Sequence, residues 1–118
     1  MKKTILLLLL PCILMLCAFY SSNNPLVGHW VTTGNDKADV YFTPDSFRVN
    51  VNGAIENQGK YKLNKDVFSM YDNNCGMKVE GRYKLTFFSR DSVSFSMISD
   101  SCSDRSKEVN GGTITRVK

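Results

Sequence analysis

The chain has 118 residues, 42% of them hydrophobic, and a formal charge of +4, enough for one domain with a modest core once any leader is removed. Its 15 basic residues are scattered among 11 acidic ones without a run or stripe, which argues against a nucleic-acid partner. A single histidine and four cysteines, two of them near the N-terminus, make no metal site, so neither a metal nor a cofactor is expected.

Residues 1–22 read as an address. Lys2 and Lys3 precede the apolar run Ile5 to Leu16, broken only by Pro11 and Cys12, and the small or polar Ala18, Ser21 and Ser22 follow. Charged, then apolar, then small is the order of a secretory leader. A membrane-spanning helix needs about 20 apolar residues; this run is shorter and contains a proline, so it fits a retained anchor less well. Cleavage after Ala18 is one outcome. The other is lipidation: "LMLC", with Leu14 three residues ahead of Cys17, resembles a bacterial lipoprotein box, making Cys17 a candidate lipidation site and "AFYSSNNP" a short polar tether. Either way the protein is exported, as a periplasmic, secreted or outer-membrane protein whose membrane contact is limited to that lipid. Residues 23–118 form the domain, and loss of Lys2 and Lys3 lowers its charge to +2.

That domain reads as strands throughout. Apolar and polar residues alternate in Phe47–Val51, Tyr61–Leu63, Arg82–Phe87 and Val93–Met97, the period of a half-buried strand. No window of a dozen residues carries a helical stripe. Turn chemistry separates the runs at Thr43-Pro44-Asp45, Asn52-Gly53, Asn64-Lys65-Asp66, Ser89-Arg90-Asp91 and Asn110-Gly111-Gly112. Asn52-Gly53 is the most specific, because a type I′ turn needs positive φ at both central residues. Eight strands result, near 29–33, 38–43, 46–52, 54–63, 67–71, 81–88, 92–98 and 112–117. Such short connections pair each strand with the next. A flat sheet of eight would leave two open edges and one bare face, whereas closure removes both. The expected fold is all-β, an eight-stranded antiparallel up-and-down barrel.

Two segments repeat one another. "GKYKLNKDVFSMYDNNC" (59–75) and "GRYKLTFFSRDSVSFSMISDSC" (81–102) each run from Gly-basic-Tyr-Lys-Leu through Phe-Ser-Met to a cysteine. They are matching hairpins, aligning Tyr61 with Tyr83, Leu63 with Leu85, Phe68 with Phe95, and Met70 with Met97. Duplication and shared barrel constraints account for this equally well. Strands 67–71 and 92–98 run the same way, so Cys75 and Cys102 emerge at one end. Next-but-one strands lie about 9.5 Å apart, more than the roughly 7 Å between Cα atoms that a disulfide tolerates. A Cys75–Cys102 bond therefore joins the loops beyond the strands, and two thiols in an exported chain most often pair.

The barrel has unlike ends. Three short turns seal one; the long segments 72–80 and 99–111, tied by the disulfide, occupy the other. Asp100 and Arg105 flank Cys102 and are placed to pair across the second segment. The first strand brings Gly28-His29-Trp30 to the sealed end, and the last brings Arg116. "GHW" resembles the Gly-x-Trp motif of lipocalins, and Arg116 resembles the last-strand arginine that packs over that tryptophan. "GRYKL" through "DSCSDR" also resembles small exported lipocalin-like (calycin-type) proteins of Bacteroidetes-type bacteria, which share a Gly-x-Tyr, an Asp-x-Cys-x-x-Arg and this size. The chain is shorter than typical lipocalins and lacks their C-terminal helix.

That resemblance implies a structural closed end at Gly28, Trp30 and Arg116, and a small apolar ligand bound at the long-loop end by Val51, Ile55, Met70, Tyr83 and Met97. The residues themselves also supply a filled interior: Trp30, Phe42, Phe47, Tyr61, Phe68, Tyr83, Phe87 and Phe95 with two methionines, in a barrel just wide enough for its own side chains. Two function classes remain, an envelope or secreted ligand carrier and a filled-core interaction module (an inhibitor or a complex subunit) acting through segments 72–80 and 99–111. His29 is expected to be structural or exposed. No nucleophile elbow or phosphate loop occurs, so catalysis is not expected.

Overall fold

The computed structural model describes residues 24–34 and 37–118; the leader and Cys17 lie outside them. Eight strands follow in chain order: β1 (Gly28–Thr32), β2 (Asp39–Phe42), β3 (Ser46–Val51), β4 (Ala54–Asn64), β5 (Val67–Asp72), β6 (Gly76–Ser89), β7 (Ser92–Asp100) and β8 (Thr113–Arg116), with one helix, α1 (Ser103–Val109), between the last two. Each strand pairs antiparallel with the next, and β8 returns to β1 through Trp30↔Arg116, Val31↔Thr115 and Thr32↔Ile114. The sheet is a closed barrel. The β3–β4 turn has Asn52 at φ 51° and Gly53 at φ 80°, the left-handed pair a type I′ hairpin demands.

Rings meet across the lumen. Phe42 of β2 meets Phe68 of β5 at 6.1 Å between centroids, and Phe68 meets Phe95 of β7 at 5.4 Å; Tyr61 stacks on Phe68 at 5.2 Å. Side chains from widely separated walls thus touch at the barrel axis. Trp30, Val40, Phe47, Met70, Tyr83, Leu85, Val93 and Ile114 pack around them, all buried.

Three features differ from the sequence expectation. Segment 72–80 is not a long loop: β5 ends at Asp72, a short turn carries Cys75, and β6 begins at Gly76, its residues up to Glu80 bulging between the pairs Asp72↔Gly76 and Met70↔Gly81. Within 99–111, β7 continues to Asp100 and Ser103–Val109 forms helix α1. Seven residues are too few to hold a helix by propensity, so no helical stripe announces it. Anchors at Cys102, Arg105 and Val109 hold it, while Asp104 in its first turn and Lys107 in its last suit the helix dipole.

The repeat also breaks. Phe87 is 37% exposed and Met97 43%, although both were expected inside. β7 stays paired with β8 only from Ser92 to Ser94, and a bulge between Arg82 and Tyr83 shifts its register on β6. Met97 therefore sits at the rim, past the end of the wall that would cover it.

Candidate functional site

The sealed end is built around Trp30. Its ring is fully buried, its Nε1–H donates to the Leu26 carbonyl (2.8 Å), and the Arg116 guanidinium lies over it with Cζ 4.3 Å from the centroid. Arg116 also donates to the carbonyls of Val27 (2.9 Å) and Pro25 (2.6 Å) and to Asp91 Oδ1 (3.1 Å). One side chain thus ties the segment before β1 to the β6–β7 turn. Gly28 explains the motif: at φ +134°, with Arg116 Nη1 only 2.8 Å from where a Cβ would lie, no larger residue fits. His29 points outward, pairs with Asp39 (2.8 Å) and stacks on Tyr41 at 4.3 Å.

The other end is closed by a buried ionic cluster. Asp72 and Asp100 have fully buried side chains, and Arg105 is 4% exposed. From α1, Arg105 donates through Nε to Asp100 Oδ2 (2.7 Å) and through Nη2 to Asp100 Oδ1 (2.8 Å) and the Val79 carbonyl (2.9 Å); Nη1 faces Asp72 Oδ1 at 3.4 Å. Tyr83 donates its hydroxyl to Asp100, Asn57 its amide to Asp72 (2.9 Å). Each carboxylate also accepts a cysteine backbone N–H, Cys75 on Asp72 (2.8 Å) and Cys102 on Asp100 (3.0 Å). The two cysteines are bonded to each other, with Cα atoms 6.0 Å apart, joining turn to turn as the strand spacing required.

The expected Asp100–Arg105 pair is therefore present and larger than foreseen. Asp72 was the missing partner, and its signal was there: the inward parity of Phe68 and Met70 continues to position 72. Gly81 belongs to the cluster as well, since a Cβ there would lie 2.6 Å from Asp100 Oδ2 and 3.0 Å from Arg105 Nε. Gly59, its counterpart in the repeat, is required for a different reason: its Cβ would meet the Tyr71 carbonyl oxygen at 1.9 Å. The matching tyrosines also lean to opposite ends. Tyr61 donates to the Thr43 carbonyl (2.6 Å) and accepts from Asn24 at the sealed end, whereas Tyr83 reaches the disulfide end.

Protonation follows from these contacts. Burial alone raises the Asp100 carboxyl, but bonds from Arg105, Tyr83 and the Cys102 N–H outweigh it and hold the group below its ordinary value. Burial, then the bond to Asp100, push the Tyr83 phenol well above its ordinary value, and the same carboxylate raises Arg105. Neither Asp100 nor Tyr83 changes charge near neutrality, and Asp100 is shut off from solvent. The cluster braces this end of the barrel.

The five residues expected to line a pocket do not share one environment. Met70 (5% exposed) and Tyr83 (0%) are packed in the core, Val51 is half-buried, and Ile55 (57%) and Met97 lie open at the rim. Concavities around Lys60 and Met77, with Tyr41, Arg48 and Tyr71 nearby, are lined by none of the five. Among the described residues no group of His, Cys, Asp or Glu is arranged to hold a metal ion.

Fold and ends together define a small closed eight-stranded up-and-down barrel, consistent with lipocalin-like architecture. No protein-family profile matches the chain, and no curated protein is similar to it. Among solved structures it is similar to Treponema pallidum Tp0751 (Pallilysin), with a TM-score of 0.51 and 18% identity over 80% of this chain and 79% of that one. At that identity the likeness is one of fold alone.

Proposed function

We propose that the protein is an exported interaction module, a rigid filled barrel that presents its disulfide end to a protein partner. The observation carrying this reading is the meeting of Phe42, Phe68 and Phe95 across the lumen, which leaves the interior to the protein's own rings. A carrier needs a cavity and a mouth; here Arg105, Asp72, Asp100 and Tyr83 cross the end where the mouth was expected. The same end exposes Ile55, Met97 and Ile98 around α1 and the β3–β4 turn, apolar side chains of the kind that anchor contacts. Bracing by the cluster and the disulfide pre-orders this face, which lowers the entropy lost on binding. The carrier alternative rests on barrel shape.

Native mass spectrometry of protein purified from its own host separates the two. A chain free of non-covalent small molecules, crosslinked to a partner through the Met97–Ile98 face, is the expected result. A co-purifying small apolar molecule would overturn the module reading in favour of the carrier.

A further inference from the structure

Of the large apolar side chains exposed among the described residues, Val27, Phe87, Phe88 and Val117 all lie at the sealed end. Their proximity is fixed by Arg116, which reaches the carbonyls of Pro25, Val27 and Arg90 at once. The β6–β7 hairpin projects farthest. β6 is paired to β5 only as far as Val67↔Lys84 yet continues with β7 to Ser89↔Ser92, so Phe87 and Phe88 sit on an overhang that β5 does not flank. Phe88 is 68% exposed. The overhang is not loose, because Asp91 at its turn is held by Arg116 (3.1 Å) and Lys118 (3.3 Å). A stiff hairpin carrying two exposed phenylalanines is an odd thing to leave in water.

The chain enters the barrel at this same end. Asn24 is pinned there by bonds to the Tyr61 hydroxyl (2.9 Å) and the Leu26 N–H (3.0 Å). It lies seven positions after Cys17, a span of at most about 25 Å when fully extended. A chain attached to a bilayer at Cys17 therefore holds its sealed end against that bilayer, at high effective concentration. We infer that the β6–β7 hairpin is a membrane-contact element, with Phe87 and Phe88 seated at the polar–apolar boundary of the bilayer and Arg90 among the headgroups. The inference rests on membrane attachment at Cys17. Nearby charges are mixed (Lys65, Asp66, Arg90, Asp91, Lys118), so the apolar rings rather than charge make the contact. The lipid on Cys17 supplies the anchorage, and the rings fix the orientation of the barrel on the surface. The disulfide end then faces away from the membrane, toward a partner.

The test uses the chain from Cys17 onward, which contains every strand of the barrel. With Cys75 and Cys102 bonded to each other, Cys17 is its free thiol and is coupled to maleimide lipid in phosphatidylcholine vesicles with brominated acyl chains. Phe88→Trp and Ile55→Trp place a reporter at each end, both at exposed positions, against a constant background from buried Trp30. Emission from the Phe88→Trp reporter should shift to the blue and be quenched by bromine, while that from Ile55→Trp should remain that of an indole in water. Adding Phe87→Ser should move the docked equilibrium about fivefold toward the undocked state, the effect of one ring leaving an apolar contact. An unquenched reporter at position 88, or equal quenching at both ends, would overturn the inference. Because coupling is chemical, this result does not depend on lipidation in the cell, which Cys17→Ser and membrane fractionation test separately.

Discussion

Arg105→Met removes the only cation facing two buried carboxylates in the cluster, while keeping a similar apolar volume. The wild-type side chain makes two bonds to Asp100, one to the Val79 carbonyl and an ion pair with Asp72. Charge-assisted bonds of this kind contribute about 1.5–3 kcal/mol each, but they share one guanidinium and do not add. The governing quantity is the cost of leaving buried charge uncompensated, about 3–5 kcal/mol. For a domain with a total stability near 5–15 kcal/mol, that is a large fraction. Urea denaturation should show the midpoint falling by about 2–3 M, at a slope near 1.5 kcal/mol/M. The deficit should also depend on pH. Asp100 is held below its ordinary value in the folded protein, so its contribution is present above the unfolded-state value and fades as pH falls through the folded one. In the variant Asp100 lacks its cation and takes up a proton at higher pH, so the gap between the two proteins should narrow toward acid. Adding Asp100→Asn to Arg105→Met should restore part of the loss, since the pair is coupled. A loss below about 1 kcal/mol that stays constant from neutrality to about pH 4 is what a solvated surface pair would give, and it would refute the reasoning.

At the sealed end, Trp30→Ala should cost about 3–5 kcal/mol and Arg116→Ala about 1–2 kcal/mol; a double-mutant cycle should find the losses less than additive, because the guanidinium lies 4.3 Å from the ring centroid. Gly59→Ala should lower the thermal midpoint by roughly 8 °C or more, since the Cβ collides with backbone rather than with a movable side chain. Replacing Cys75 and Cys102 together by Ser should cost about 3.5 kcal/mol for a closed loop of 27 residues, and non-reducing digestion of the wild type should yield one linked peptide pair.

Local rules carried the reading a long way. Period-two alternation and the turn at Asn52-Gly53 depend only on neighbours in the chain, so strands, meander and closure were legible before any coordinates. Once closure was inferred, the direction of each strand brought Trp30 to Arg116 and Cys75 to Cys102. Tertiary structure decided what depends on how far each strand slides past the next. That stagger accumulates from bulges at Val49, Met70, Arg82 and Phe87, none marked by a distinctive residue. It placed Met97 outside although its repeat partner Met70 and its parity said inside, and Phe87 outside against its parity alone. Helix α1 was hidden for a related reason, being held by a disulfide, a buried arginine and one packed valine rather than by its own seven residues. Asp72 shows the boundary between the two: alternation pointed it inward, but only the fold could bring Arg105, 33 positions away, to meet its charge.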